Sequence, residues 1–152
     1  AAVPQRGVKP ETQNLQLVRA HLRPVPQLAI GHLLAAWRLA TACIDTSDGL
    51  VQDLGHICEA SGAGAKLDAV KIPVSPVLRR HCAATGKDAL TFALAGGEDY
   101  GLVFTSRSSK IRDLPGRISA IGTITREKKL TFTDGTVIRA AGYDHLRGRR
   151  ST

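Results

Sequence analysis

The stretch CIDTSDGL, residues 43–50, joins two segments with helical periodicity and decides how the chain is organised. Between Ile30 and Trp37, apolar residues recur at positions i, i+3, i+4 and i+7, the spacing of one helical face. A similar helical spacing runs from Leu50 to Cys58. Because the stretch itself begins with apolar residues, we predict a short buried strand there. Residues 43–50 are therefore a strand-to-helix junction that carries two carboxylates and two hydroxyls in four successive positions.

The remainder of the chain alternates strand and helix patterns. Strands are predicted at residues 65–70, 102–104 and 118–124, and the Asp-Gly pair at 134–135 predicts a hairpin. Helical spacing of apolar residues is found in residues 12–22 and in later segments. This alternation predicts a layered domain of the mixed α/β class.

The two ends of the chain differ in composition from the part between them. Residues 1–11 contain two prolines and no periodicity, which is typical of a linker or leader. Residues 147–152 form a basic tail that we expect to be mobile. We assign residues 12–146 to one domain. Methionine is absent, including at position 1, and we expect the chain to be a piece of a longer protein.

The composition argues against membrane insertion and nucleic-acid binding. Hydrophobic residues make up 43% of the chain, no apolar run approaches the roughly 20 residues of a membrane span, and no signal peptide opens it. The net charge of +8 is scattered and is not interleaved with aromatic residues. Cys43, Cys58 and Cys82 lack the spacing of a metal site or a disulfide framework, so we expect buried, reduced thiols and a cytoplasmic protein.

Residues 45–48, DTSD, carry the strongest chemical signal. If the strand continues, Asp45 and Ser47 share one face, and Asp48 lies beside the first amides of the next helix, which favour anions. Carboxylate oxygens suit Mg²⁺, which commonly shares its coordination with phosphates. Alternatively, Ser47 or Asp48 caps the helix, and the pattern leaves both interpretations open. Asp53 is expected to lie off the apolar face of that helix.

Two further segments could contribute to a site. In residues 96–100, GGEDY, paired glycines permit a tight turn or a close approach to a ligand, although a solvated loop would also explain them. In residues 142–145, GYDH, Tyr143 could stack on a planar cationic heterocycle or cover an edge of the core. Both alternatives stay open on the pattern alone.

Together and in this order, these segments resemble the C-terminal domain of the thiamine-monophosphate kinases. Matching residues extend over most of 20–146 and include DTSDGL at 45–50, GGEDY at 96–100 and GYDH at 142–145. The first two motifs are specific within a superfamily that also includes aminoimidazole ribonucleotide synthetases and selenophosphate synthetases. The resemblance implies an α/β (α+β) fold, a three-layer α/β/α domain with a mixed sheet that is partly ferredoxin-like.

The resemblance also implies an ATP-dependent transferase of thiamine biosynthesis that phosphorylates thiamine monophosphate to thiamine diphosphate and works as a homodimer. By analogy, Asp45 and Asp48 would bind Mg²⁺, Ser47 would contact ATP, and Glu98 and Tyr143 would contact the thiamine moiety. No residue is assigned as catalytic. The family's N-terminal domain carries further metal and nucleotide ligands and is missing here. We therefore expect this chain alone to be inactive or nearly so.

Two residues depart from the family pattern. Gln27 stands where an arginine is expected, which removes a cation, and Gly101 stands where an acid commonly follows the tyrosine, a change that looks peripheral. An acid-rich site without a histidine base suits this reaction, because a phosphate acceptor with a second pKa near about 6 is already an anion. The alternatives are another ATP-using synthetase of the superfamily and a non-catalytic domain that binds a partner or nucleic acid.

Overall fold

A computed structural model describes residues 12–138 of the chain. The helices are α1 Thr12–Leu22, α2 Leu28–Ala36, α3 Leu50–Ala60, α4 Pro76–Thr85 and α5 Ala89–Ala95. The strands are β1 Ala42–Asp45, β2 Gly64–Leu67, β3 Leu102–Thr105, β4 Gly122–Thr125 and β5 Leu130–Phe132. Over these described residues, no helix combines the length and the apolar character needed to cross a membrane. The predicted leader at 1–11, the tail at 147–152 and Tyr143 lie outside them.

The strands form two sheets. Strands β1 and β3 pair antiparallel, with Asp45 opposite Leu102. Strand β2 is the middle strand of the second sheet, where it runs antiparallel to β4 and parallel to β5. The prediction of an α/β domain with a mixed sheet is confirmed.

Helix α3 lies at the centre of the larger core. Its buried residues Leu54, Ile57 and Cys58 pack against β2 and against Ile44 and Val103 of the β1–β3 pair. The apolar face that the sequence predicts for this helix is therefore the face that joins the two sheets. Because α3 begins directly after residue 49, this packing also fixes where the 45–48 segment lies.

Helix α2 covers the opposite face of the β1–β3 pair. Leu34 of α2 and Leu39 form a second buried cluster, against which Leu102 and Phe104 of β3 pack. Successive strand residues point to opposite faces, so Val103 faces α3 while its two neighbours face α2. Strand β3 thus lies between α2 and α3, as expected for a three-layer α/β/α arrangement.

Two predicted strands have different bounds in the structure. The strand predicted at 65–70 ends at Leu67, because the Asp68 carboxylate accepts a 3.1 Å hydrogen bond from the Val70 amide and starts a 3-10 turn. The strand predicted at 118–124 begins only at Gly122, which pairs with Leu67. The Ile121 carbonyl still accepts a 2.8 Å hydrogen bond from the Asp68 amide, but the 3-10 turn at Ala69–Lys71 then ends the pairing. The hairpin at 134–135 is confirmed by a β-bridge between Thr131 and Val137.

One of the three cysteines does not follow the prediction of buried thiols. Cys58 and Cys82 are buried, as expected, but Cys43 is exposed. Burial alternates along β1, and Cys43 and Asp45 occupy the exposed positions. The pKa of the Cys43 thiol is nevertheless raised, first by partial desolvation and then by the charge of Asp45.

Candidate functional site

Two loops that are distant in sequence meet at the ends of β1 and β3. We call residues 46–49 the junction loop, which follows β1, and residues 96–101 the glycine loop, which precedes β3. Because β1 and β3 run antiparallel, the end of one strand lies beside the start of the other. The structure therefore brings together the two motifs that the sequence analysis singled out separately.

Backbone hydrogen bonds continue the pairing past the strand ends. The Thr46 amide donates to the Gly101 carbonyl at 2.9 Å, and the Tyr100 amide donates to the Thr46 carbonyl at 2.9 Å. The Glu98 amide then donates to the Ser47 carbonyl at 2.8 Å. These bonds hold the acids of the two loops in one fixed arrangement at the edge of the β1–β3 pair.

The glycines permit this close packing of backbone on backbone. A Cβ atom at Gly97 would lie 2.6 Å from the Ser47 carbonyl oxygen, closer than any side chain tolerates. Gly49 has a φ of +118° and faces the end of α5, where a Cβ atom would lie 3.1 Å from the Ala95 carbonyl carbon. Gly101, which looked peripheral in the sequence, would carry a Cβ atom 3.1 Å from Thr46 Oγ1. Gly97 and Gly49 face backbone atoms and are needed for the loops to meet, whereas at Gly101 the neighbouring atom belongs to a side chain that can rotate.

Two residues of the glycine loop adopt the left-handed backbone conformation without being glycine. Glu98 has a φ of +63° and Tyr100 a φ of +48°, a region that side-chain-bearing residues seldom occupy. Both are exposed, and a carboxylate oxygen of Glu98 lies 3.9 Å from His21 Nε2 on α1. Asp99 lies between these two residues in the sequence and is also exposed. Partial desolvation raises the pKa of its carboxyl group, and the charge of His21 acts in the opposite direction.

Asp53 is the residue that the sequence analysis missed. It was expected to lie off the apolar face of α3, but it is only 1% exposed. Its Oδ2 atom accepts hydrogen bonds from the amides of Asp48 at 3.2 Å and Gly49 at 3.1 Å. Neither Ser47 nor Asp48 caps α3, because Gly49 occupies the N-cap position and has no side chain to cap the helix. The sequence did contain a signal for this role, because Asp53 is an acid in the first turn of α3, where free amides favour a negative charge.

Asp48 faces α3 and contributes to a cluster of possible metal ligands. Its Oδ2 atom accepts a 3.2 Å hydrogen bond from Gln52. One ligand atom each of Asp48, Asp53 and His56 lies within 4.8 Å of the others. Asp48 is half-buried and accessible, whereas the buried Asp53 already accepts two amide protons. The carboxylates fit a hard cation such as Mg²⁺, for which an imidazole is a poorer ligand.

Asp45 lies apart from that cluster, in a groove beside α2. The groove has a volume of about 390 Å³ and is lined by Pro26, Gln27, Leu28, Gly31, His32, Asp45, Tyr100 and Leu102. No lysine or arginine is among these lining residues. Gln27, which stands where an arginine was expected, donates from Nε2 to the Val25 carbonyl at 2.8 Å. Tyr100, which received no role from the sequence, lies on the wall of this groove.

The curated relatives of the chain are thiamine-monophosphate kinases. The relative from Haemophilus influenzae is 40% identical over 152 residues, covering 90% of this chain and 45% of the relative. The relative from Aquifex aeolicus is 33% identical over 136 residues, covering 90% of this chain and 43% of the relative. The chain spans less than half the length of these relatives. No protein-family model matches the sequence.

Solved structures agree with these relatives. AaThiL complexed with AMPPCP and TMP superimposes with a TM-score of 0.80 at 32% identity, covering 93% of this chain and 44% of that one. Thiamine-monophosphate kinase from Stenotrophomonas maltophilia K279a has a TM-score of 0.73 at 34% identity, with 83% of this chain and 40% of the other covered.

The fold, the paired loops and these matches make the chain a homologue of one part of a family of phosphotransferases. That family is the thiamine-monophosphate kinases, and the matching part is their C-terminal domain. The resemblance carried by residues 45–50 and 96–100 is confirmed.

Proposed function

We propose that residues 12–146 form the C-terminal domain of a cytoplasmic, ATP-dependent kinase that converts thiamine monophosphate to thiamine diphosphate. The observation that carries this proposal is the pairing of the junction loop with the glycine loop in a fold shared with AaThiL, whose structure is complexed with AMPPCP and TMP. The relatives named thiamine-monophosphate kinase support the same substrate.

The proposed ligands of this domain lie around the junction loop. Asp48 and Asp45 would bind Mg²⁺, and Ser47 would donate a hydrogen bond to a phosphate oxygen of ATP. Asp48 is supported by its accessible carboxylate beside Asp53, and Asp45 by its exposure at the end of β1. When bound, Mg²⁺ would supply neutralising charge to the polyphosphate. Glu98 and Tyr143 are proposed to contact the thiamine moiety, and Tyr143 lies outside the described residues.

The residues of this site position reactants and need not remove a proton. The acceptor is a phosphate monoester, already ionised at neutral pH, so its oxygen can attack without a general base. Rigid placement is then the main contribution that a protein can make. Three backbone hydrogen bonds of 2.8–2.9 Å between the loops supply such rigidity.

The same proposal requires a second wall for the site. The chain spans less than half the length of its relatives, and no lysine or arginine is among the residues that line the groove containing Asp45. We propose that an N-terminal domain of the kind found in the family completes the site, that the complete enzyme is a homodimer, and that this chain alone does not turn over.

The proposal is tested in a fusion of residues 12–146 to the N-terminal part of the Haemophilus influenzae relative. Asp48→Asn should lower thiamine diphosphate formation by roughly 100-fold, since several kcal/mol of charge stabilisation would be lost. Asp113→Asn, at an exposed acid in a 3-10 turn outside the two loops, is the matched control and should leave the rate unchanged. Equal rates for the two variants would remove Asp48 from the site. ADP release only with an acceptor other than thiamine monophosphate would favour the synthetase alternative.

A further inference from the structure

The side chain of Trp37, the single tryptophan of the chain, is 50% exposed at the end of α2. The helix closes with a 2.9 Å bond from the Leu39 amide to the Leu34 carbonyl, and Arg38 adopts the left-handed conformation at a φ of +50°. This turn buries Leu39 and leaves Trp37 and Arg38 on the surface. An indole has a large apolar ring that proteins usually bury, so an exposed one beside a cation is a candidate for contact with a ligand.

Folding gathers around this tryptophan several cations that are scattered in the sequence. The Ser106 hydroxyl donates to the Leu39 carbonyl at 2.6 Å, which places residues 106–118 beside the end of α2. Ile111 and Ile118 of that segment pack in the same apolar cluster as Leu39. The exposed cations that flank these anchored residues form, with the indole, what we call the Trp37 surface: Trp37, Arg38, Arg107, Lys110, Arg112 and Arg117.

The Trp37 surface has a large excess of positive charge. Against its five cations, Asp113 is the one acid in residues 37–41 and 106–118. Over the described residues, no ion pair neutralises any of the five. Cations without a protein partner attract phosphates, and arginine can bind a phosphate with two parallel hydrogen bonds. The charge therefore favours a partner that carries several phosphates.

The side chains around the cations narrow the kind of partner. In the described residues 29–69 and 101–123, no large apolar side chain other than Trp37 is exposed. A surface that binds membranes inserts several such side chains, so a lone indole among cations does not fit a lipid partner. Helix α2 contains no lysine or arginine, so it offers no basic helix to the groove of a duplex. Single strands are bound by a ring that stacks on a base and by cations that neutralise phosphates.

We propose that the Trp37 surface binds single-stranded nucleic acid, with a base stacked on Trp37 and successive phosphates bound by the surrounding cations. The scattered charge had argued against such a partner, and its gathering around the indole removes that objection. This surface adjoins the bond from the Thr41 amide to the Thr105 carbonyl, at the far end of the β1–β3 pair from the junction loop. Strands of four residues, about 13 Å long, separate the two ends, so the inference does not depend on the proposed function.

The indole is its own probe, because a stacked base quenches its fluorescence and the chain has no other tryptophan. The purified chain is titrated with an oligouridylate of about 12 nucleotides, a duplex of equal length, and phosphatidylcholine–phosphatidylserine vesicles. The single strand should quench the fluorescence saturably, and its affinity should fall roughly 100-fold between about 50 and 200 mM salt if five phosphates are neutralised. Absence of saturable quenching, tighter binding of the duplex, or a response to the vesicles alone overturns the proposal.

Matched variants separate this surface from the overall positive charge of the chain. With a labelled strand and fluorescence anisotropy, Arg38→Gln combined with Arg107→Gln should weaken binding at least about fivefold and lower the salt slope by about 1.4. Lys66→Gln combined with Lys128→Gln removes equal charge from exposed positions of the second sheet and should change the affinity by less than about twofold. Equal weakening by the two pairs would refute the assignment of binding to this surface.

The stacking contact has a test of its own. Trp37→Ala should weaken binding of the labelled strand roughly tenfold while leaving the salt slope unchanged, because a base contact is lost and no phosphate contact is. Trp37→Phe retains an aromatic ring and should recover most of the affinity. Thermal unfolding of each variant establishes that it is folded before binding is compared. An affinity that does not change in Trp37→Ala would overturn the stacking and, with it, the proposal.

Discussion

Replacing Asp53 with alanine should destabilise the fold more than any other substitution of an acid in α3. The side chain is 1% exposed, and one carboxylate oxygen accepts both the Asp48 and the Gly49 amide. A hydrogen bond to a charged acceptor contributes about 1.5–3 kcal/mol net. At 3.2 and 3.1 Å these bonds are long, so we take the lower figure for each and expect a loss of about 3 kcal/mol.

The measurement is urea unfolding of the chain followed by circular dichroism. Asp53→Ala should lower the midpoint without changing the slope, and it should lower the melting temperature by roughly 10 °C. Asp53→Asn retains one acceptor oxygen and should lose about half as much stability. Glu59→Ala, at an exposed acid of the same helix, should change the free energy of unfolding by less than about 0.5 kcal/mol. A loss below 1 kcal/mol for Asp53→Ala would refute the view that this carboxylate holds the junction loop.

Two further predictions concern the segments around the glycine loop. Gly97→Ala should destabilise the chain by about 1–3 kcal/mol, because its Cβ atom would lie 2.6 Å from the Ser47 carbonyl oxygen. Gly55→Ala within α3 should instead stabilise the chain by about 0.5–1 kcal/mol. Urea unfolding of both variants measures these changes, and equal effects would contradict the packing of the two loops. The pKa of Asp88 is lowered first by the hydrogen bond from the Thr91 hydroxyl and then by the amides that it caps at the start of α5. Since the folded pKa is depressed, its stabilising contribution is present above the unfolded value of about 3.9 and disappears as the pH falls through the folded pKa. Asp88→Asn, which caps at any pH, should therefore show a weaker loss of stability on acidification than wild type in thermal unfolding at graded pH, and parallel curves would contradict the cap.

Periodicity was sufficient to predict the helices and the fold class. The apolar spacings around Trp37 and Leu54 correspond to α2 and α3, and the alternation of elements predicted an α/β domain with a mixed sheet. Strand bounds were less accurate, because a strand ends where its partner ends. The segment before Gly122 has strand-like composition, but β2 stops at Leu67, and only the bond from the Asp68 amide to the Ile121 carbonyl extends the pairing.

The site was predicted less completely than the fold, for physical reasons that differ between residues. The juxtaposition of Ser47 with Gly97 depends on the pairing of β1 with β3, and strand order cannot be read from local pattern. Asp53 was expected to be solvated because most carboxylates are, and its burial depends on two amides that the fold aims at it. The roles predicted for Asp45, Asp48 and Ser47 stay predictions.

The strained backbone of the glycine loop provides a further argument for function. Left-handed φ values at Glu98 and Tyr100 cost roughly 1–3 kcal/mol each. Their side chains recover little of this energy, since Glu98 is exposed beside His21 and Tyr100 is 38% exposed on the groove wall. The amides of both residues bond to the junction loop, which fixes the backbone and offsets the strain. A glycine at either position would relieve the strain with the same bonds, so the backbone alone does not account for a carboxylate at Glu98, which agrees with the proposed contact of Glu98 with the substrate.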